Sequence, residues 1–205
     1  RVSETPVPEA PKTRALPKMS QSIPFLERPP MLDGTMAGDV GFDPAGFAKD
    51  AYELVNYREA EIKHARLAML AAVGWPIAEL FHKNLASDFD LDSLLSVQDR
   101  VPSVLNGGLS NVSPVFWVAA LGAAAALEIQ ASKESESSKV APGDLGFDPL
   151  GLAGITKKQK HFMQEAELFN GRLGMIAITG FAIQEWWLQS SVVNQIPIFF
   201  KPLNV

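Results

Sequence analysis

The chain contains 205 residues, of which 47% are hydrophobic and 20% are charged, a composition that excludes a wholly disordered protein. Its formal net charge of −5 argues against a nucleic-acid partner, because nucleic-acid-binding proteins usually carry a basic surface. With no cysteine and 3 histidines, the sequence excludes disulfides, cysteine-ligated metal centres and thiolate catalysis, and it disfavours a histidine-rich metal site.

The chain is predicted to be all-α, with one helical domain between an N-terminal arm and a C-terminal tail. Residues 1–30 contain 7 prolines and are predicted to be extended. The domain is assigned to residues 31–190 and the tail to residues 191–205. Three helices are expected in the domain, at about 52–81, 111–131 and 156–189.

Hydropathy and charge favour membrane-spanning helices. The 27 residues from 101 to 127 carry no charge, and residues 111–130 reach the roughly 20 residues that a bilayer requires. The first and third helices are marginal by hydropathy because charged residues flank their apolar stretches. A three-span topology would place 11 lysines and arginines on one side and 3 on the other, as expected in a membrane protein. The alternative for the middle helix is burial in a soluble bundle.

An internal repeat relates the first and third helices. Residues 58–80 and 164–186 are identical at 10 of 23 positions without a gap. Upstream, residues 38–47 and 143–152 are identical at 7 of 10 positions. Two matches in the same order indicate a duplication. The repeat therefore predicts two helices related by a pseudo-twofold axis, with the middle helix outside the pair.

Each repeat carries a glutamate and an arginine inside its apolar helix. A lone charge near the centre of a bilayer costs about 2.5–3.5 kcal/mol, so these charges are expected to be paired. A pseudo-twofold axis predicts crossed ion pairs, Glu61 with Arg172 and Glu167 with Arg66. Small residues would allow the two helices to approach at the crossing: Ala65, Ala68, Gly171 and Gly174.

His64 and Asn170 occupy equivalent positions, each three residues after the shared glutamate. Glu61-x-x-His64 has the spacing of a di-iron carboxylate site, but the second repeat has an amide, a poor iron ligand, in place of the histidine. The other interpretation is that isolated side chains each give one axial ligand to a Mg²⁺ ion held by a macrocycle. A colourless membrane scaffold, in which the ion pairs are purely structural, is a further alternative.

These motifs resemble the light-harvesting chlorophyll-binding proteins over about residues 31–190. The resemblance rests on E-I-K-H-A-R-L-A-M-L from Glu61, on E-L-F-N-G-R-L-G-M from Glu167, and on the two G-D-x-G-F-D-P segments. It implies an all-α membrane fold of three transmembrane helices, the first and third crossed and locked by the two glutamate–arginine pairs.

The resemblance also implies which residues hold pigment. Asp43 and Asp148 would lie near the end groups of two carotenoids, or would simply cap turns. His82 and His161 would either ligate peripheral pigments or lie on the surface. The implied axial ligands to chlorophyll magnesium are Glu61, His64, Glu128, Glu167, Asn170 and Gln184, with Arg66 and Arg172 as the counter-ions of the glutamates.

Three further segments resemble the red-lineage branch, which includes the fucoxanthin chlorophyll a/c-binding proteins of diatoms and their relatives. They are F-L-E-R-P-P-x-L-D-G-T from Phe25, A-A-V-G-W-P-I-A-E-L from Ala71 and V-L-N-G-G-L from Val104. The branch implies chlorophyll a, chlorophyll c and carotenoids, with fucoxanthin expected first and a diadinoxanthin-type carotenoid second.

The function implied by the resemblance is a light-harvesting antenna, with no enzymatic activity, in the thylakoid membrane of a plastid. Its implied partners are a photosystem core, with photosystem I preferred, neighbouring antenna subunits and thylakoid lipids. One alternative is a photoprotective relative that dissipates excitation. Alternatives of another class are a non-pigmented membrane scaffold and a di-iron bundle enzyme.

Overall fold

The computed structural model describes residues 18–96, 98–137, 143–144, 148–152, 154 and 156–200, without the side chains of 131–137. The first 17 residues of the expected N-terminal arm and the last five of the expected tail lie outside the described residues. The chain divides into two compact units, residues 1–54 and 55–205.

The described part of the first unit, residues 18–54, is built from turns around a buried ion pair. An isolated antiparallel bridge joins Met19 to Glu27. Directly after it, Arg28 Nη2 lies 3.0 Å from Asp39 Oδ2, and the two side chains are only 6% and 1% exposed. Arg28 Nε also donates to the carbonyl of Leu32 at 2.5 Å, so a single arginine holds both sides of the loop.

Helices dominate the second unit. Helix α3, Lys157–Leu188, begins with a capping box, in which Thr156 Oγ1 accepts from the backbone of Gln159 and the Gln159 side chain accepts from the backbone of Thr156. Helix α1, Ala51–Asp88, continues to Asp88 rather than ending near Phe81, because residues 77–88 contain no glycine or proline. The helices are α1 Ala51–Asp88, α2 Pro114–Ser137, α3 Lys157–Leu188, α4 Val192–Gln195 and α5 Pro197–Phe200, with a 3-10 turn at Gly108–Asn111 before α2.

Helices α1 and α3 cross where the repeat places its small residues. A Cβ atom added to Gly171 would lie only 2.4 Å from Cβ of Ala65, so the two backbones are in direct contact. The buried residues on the two sides of the crossing occupy equivalent positions of the repeat, as a pseudo-twofold arrangement requires. These equivalent buried positions are Ile62 and Leu168, Ala65 and Gly171, and Ala68 and Gly174.

Helix α2 differs from the other two long helices in its surroundings. It begins at Pro114, and all of its described side chains, from Pro114 to Gln130, are exposed. Proline suits the first turn because its missing N–H would have no partner inside the helix. Judged by length and hydropathy, no helix in the described part of the chain qualifies as a membrane span.

Candidate functional site

The crossing of α1 and α3 brings the four charged residues of the repeat together in crossed pairs. Arg172 Nε donates to Glu61 Oε1 at 2.8 Å, and Arg66 Nε donates to Glu167 Oε1 at 2.6 Å. The two carboxylates are 27% and 32% exposed, so they lie at the edge of the contact. Each helix thus neutralises a carboxylate of the other.

The two ion pairs are not equivalent. Glu61 Oε2 also accepts from Arg58 Nη1 at 2.7 Å, and the side chain of Arg58 is only 9% exposed. The corresponding residue of the second repeat is Gln164, which carries no charge. Arg66 also donates from Nη1 to the carbonyl of Gly143 at 2.8 Å. Among the described residues, Glu61 therefore contacts two arginines, whereas Glu167 contacts one.

His64 is exposed on α1, and its ring is oriented by its own helix. Its Nδ1 lies 2.7 Å from the carbonyl oxygen of Ala60, one turn earlier. Because a carbonyl can only accept, Nδ1 carries a hydrogen, and in the neutral ring the lone pair is then on Nε2. Metal-bound histidines are commonly oriented in this way, with one nitrogen donating to a carbonyl and the other ligating. His64 is therefore preorganised to give one neutral nitrogen ligand.

Asn170 repeats this arrangement on α3. Its Nδ2 donates to the carbonyl of Ala166 at 2.8 Å, again one turn earlier, and the residue is exposed. The amide nitrogen is thereby fixed, and Oδ1 is the atom suited to ligate a hard cation such as Mg²⁺. Two different side chains thus use the same hydrogen bond at the same position of the repeat.

The other two expected ligands lie outside the crossing. Gln184 is exposed near the end of α3. Glu128 on α2 contacts Lys63 Nζ of α1, and Lys63 also lies 2.8 Å from Glu59 Oε1. This lysine therefore ties α2 to α1 through Glu128, a contact that the sequence did not indicate.

Asp43 and Asp148 both act as turn caps. Asp43 accepts from the backbone N–H of Phe47 and Ala48, each at 3.0 Å. Asp148 accepts from the backbone N–H of Leu152 at 2.9 Å. Both aspartates thus accept from the backbone N–H four residues on, which fixes the same turn in each repeat.

The two remaining histidines have polar neighbours. His82 Nε2 accepts from the backbone N–H of Leu94 at 3.1 Å, at the wall of an apolar cavity of about 260 Å³ beside Phe116 and Trp117. His161 Nε2 lies 3.4 Å from Glu165 Oε1. Because Nε2 of His82 is engaged by the backbone, this nitrogen is not available as a ligand in this arrangement.

The arrangement of the donors fits a magnesium–macrocycle better than a bare metal ion. Within the described residues, no group of three or more histidine or acidic side chains is placed to hold a metal. The donors at His64 and Asn170 are single, and large exposed apolar residues flank them. These flanking residues are Leu67 and Leu70 on α1, and Phe169 and Leu173 on α3. Such surroundings suit a flat apolar ring that needs one axial ligand from the protein.

Two glutamates that are shared by the aligned repeats, Glu79 and Glu185, are not among the candidate site residues predicted from the sequence. Glu79 and Glu185 occupy equivalent positions, and both are buried at the far end of the helix pair, where Trp75 Nε1 donates to Glu185 Oε1 at 2.9 Å. The signal was their identity in the aligned repeats, because only a buried or functional role is expected to keep a glutamate in an apolar helix.

Comparison with known proteins gives consistent matches. A family model described as Chlorophyll A-B binding protein matches residues 28–186. A fucoxanthin-chlorophyll a-c binding protein of Isochrysis galbana is 38% identical over 148 residues, which cover 70% of this chain and 71% of that protein. Chlorophyll a-b binding protein 6 of Arabidopsis thaliana is 32% identical over 190 residues, which cover 88% of this chain and 74% of that protein.

Light-harvesting complex stress-related protein 3.2 of Chlamydomonas reinhardtii is 34% identical over 173 residues, or 78% of this chain. The chain spans 64% of that relative, which is less than two thirds of its length. The family match covers far more than half of the chain, and it includes both repeats and the crossing of α1 and α3. The chain belongs to the chlorophyll A-B binding protein family.

Proposed function

We propose that the chain is a light-harvesting antenna protein that binds chlorophylls and carotenoids and passes excitation energy to a photosystem. The observation that carries the proposal is the matched pair of preorganised ligands, His64 and Asn170, each fixed to the carbonyl one turn earlier. The bound pigments would supply the light absorption and the energy transfer. The protein would hold them at fixed separations and exclude water, without catalysing a reaction.

The charges and exposures of the helix pair support the proposed ligand set. Glu61 and Glu167 keep their charge close to an arginine, so each can give an oxygen to magnesium without leaving a lone charge in an apolar environment. His64, Asn170 and Gln184 are exposed neutral donors on α1 and α3. Glu128 would ligate from α2 while keeping Lys63 as its counter-ion. Asp43 and Asp148 would shape turns beside the carotenoids.

The relatives support a finer proposal for the pigments and the location. The fucoxanthin-chlorophyll a-c binding protein of Isochrysis galbana is named as chloroplastic, as is protein 6 of Arabidopsis thaliana. By this relation, the chain would bind chlorophyll a, chlorophyll c and fucoxanthin, with a diadinoxanthin-type carotenoid as the alternative. Its α1, α2 and α3 would span the thylakoid membrane of a plastid, beside lipids, other antenna subunits and photosystem I.

Reconstitution tests the proposal directly. The full chain refolded with chlorophylls a and c and fucoxanthin is expected to retain several pigments through gel filtration. Excitation of the carotenoid should then produce chlorophyll a fluorescence, because pigments held close together transfer energy. A chain that folds but stays colourless, or that binds pigment without transfer, would contradict the antenna function.

The ligand positions make a sharper prediction. Asn170→Leu removes the donor oxygen and is expected to cost one chlorophyll per chain, measured by pigment extraction and chromatography. His64→Leu should likewise cost one chlorophyll. Asn170→His restores a donor of the kind found in the first repeat, so it should recover the pigment with a shifted absorption band.

Thr179→Val is the matched control for these substitutions. Thr179 is exposed on the same helix, and its hydroxyl also donates to the carbonyl one turn earlier, that of Met175, at 2.8 Å. Removing this hydroxyl alters the helix surface to a similar extent but removes no proposed ligand. Equal pigment loss in Thr179→Val and Asn170→Leu would show that the loss reflects general disturbance of the helix.

A further inference from the structure

The helix pair has a buried polar cluster at the end opposite the arginine pairs. Glu79 follows Glu61 by 18 residues, and Glu185 follows Glu167 by the same number. At about 1.5 Å per residue, this places the second pair of glutamates roughly 27 Å further along the helices. Glu79 is 8% exposed and Glu185 is fully buried.

Glu79 holds the segment that follows the opposite helix. Its Oε1 accepts from the backbone N–H of Val192 at 3.1 Å, and its Oε2 accepts from that of Val193 at 2.8 Å. Both valines come just after the end of α3 and are themselves buried. A side chain of α1 therefore fixes the chain as it leaves α3.

Glu185 faces back toward α1. Its Oε1 accepts from Nε1 of Trp75, a residue of α1, at 2.9 Å, and its Oε2 is buried without a hydrogen-bond partner. The carboxyl of Glu79 and the backbone N–H of Val101, in the segment that follows α1, are its other polar neighbours. Glu79 of α1 thus contacts the segment that follows α3, and Glu185 of α3 contacts α1.

We propose that Glu79, Glu185 and Trp75 form a second crossed lock, which fixes the far end of the helix pair and thereby positions Gln184. Unlike the first lock, it uses backbone and indole N–H donors in place of arginines. A buried carboxyl oxygen without a donor is costly, and backbone and indole N–H groups satisfy three of the four oxygens of this cluster. Gln184 is adjacent to Glu185 on α3, so the position of its side chain depends on this contact.

Hydrogen exchange of the full chain in detergent tests the lock itself. Glu79→Leu removes both acceptors, so the amides of Val192 and Val193 are expected to exchange at least about tenfold faster. Glu79→Gln keeps one oxygen acceptor, so it should restore the protection of one of the two amides and leave the other fast. Asp88→Leu, which removes an exposed carboxylate from the same helix, is the control and should leave both amides unchanged. Unchanged exchange in Glu79→Leu would overturn the proposal.

A substitution on the donor side covers the case in which Glu79→Leu does not fold. Val192→Pro removes one of the two N–H donors at the first position of α4, where proline is tolerated. Ser191, which precedes it, already has the extended conformation that a following proline requires. Faster exchange of the Val193 amide in this variant is the expected result, and unchanged exchange would count against the lock.

The consequence for Gln184 rests on the proposed function and has a separate readout. Glu79→Leu should lose the same chlorophyll as Gln184→Leu, while the pigments at His64 and Asn170 remain bound. If the amides lose protection but that chlorophyll stays, the positioning of Gln184 is wrong. If the native chain binds no pigment, the antenna function is wrong, whereas the exchange result still decides the lock.

Discussion

Arg66→Leu is expected to destabilise the folded chain by roughly 3 kcal/mol, and Arg172→Leu by distinctly less. Removing one partner of a buried ion pair typically costs about 3–5 kcal/mol, and these pairs are partly exposed, which places them at the lower end. Arg172→Leu leaves Glu61 in contact with Arg58. Arg66→Leu leaves Glu167 without an ion-pair partner among the described residues.

Thermal unfolding in detergent, followed by the loss of helical circular dichroism, measures this difference. Lys83→Leu is the control, because Lys83 and Asp99 form an exposed ion pair for which a loss of about 1 kcal/mol or less is expected. Arg58→Gln, which gives the first repeat the residue of the second, should make Arg172→Leu as harmful as Arg66→Leu. Equal losses for the two arginines in the unmodified chain would contradict the role assigned to Arg58.

The same variants bear on the pigments. Arg66→Leu should release the chlorophyll at Glu167, because an unpaired carboxylate in an apolar environment tends to bind a proton and then ligates poorly. The chlorophyll proposed at Glu61 should survive Arg172→Leu to a larger extent, since Arg58 still contacts that carboxylate. Pigment content per chain after gel filtration measures both. Release of the pigment at Glu61 alone would invert the predicted order.

Gly171→Ala is expected to destabilise the crossing by about 3 kcal/mol, the upper range for overpacking a well-packed contact. The added Cβ would lie 2.4 Å from Cβ of Ala65, so the two helices must separate, and the Arg66 and Arg172 pairs would lengthen with them. Alanine has the higher helix propensity, so a loss of stability would come from the contact and not from the helix itself.

Gly180 and Ala65 provide the controls for this prediction. Gly180→Ala adds the same atom to the same helix, where nothing lies within 4 Å of it, and should be neutral or slightly stabilising. The double variant Ala65→Gly with Gly171→Ala exchanges the two equivalent residues of the repeat and should recover most of the loss. Thermal unfolding of the unmodified chain, of the single variants Ala65→Gly and Gly171→Ala, and of the double variant measures the coupling between the two residues. If the double variant did not recover stability, the loss in Gly171→Ala would not come from the contact with Ala65 alone.

The internal repeat predicts most of the contacts between α1 and α3, because it provides two copies of the same helix for comparison. The crossed partners of Glu61 and Glu167 and the small residues Ala65 and Gly171 follow from the pseudo-twofold relation, because equivalent positions must face each other across the axis. The ligand positions also follow from the repeat, although His64 and Asn170 differ in chemistry. Their roles in holding pigment stay predictions that the reconstitution experiment tests.

Contacts that break the twofold relation could not be foreseen. Lys63 reaches Glu128, yet the equivalent residue of the second repeat is Phe169, so the alignment gives no hint of the contact. Arg58 was likewise invisible, because its equivalent is Gln164 and its partner depends on the rotamer it adopts. The end of α1 was placed too early, since helix propensity continues past the apolar stretch as far as Asp88.

The hydrogen bonds of His64 and Asn170 to the preceding turn bear on how such a chain diversifies. Each of the two side chains is oriented by a carbonyl of its own helix, that of Ala60 or Ala166, so it needs no partner elsewhere in the fold. A duplicated helix would therefore carry the proposed binding position with it from the moment of duplication. One copy could then exchange imidazole for amide without any compensating change, and the two copies would be free to evolve different ligands.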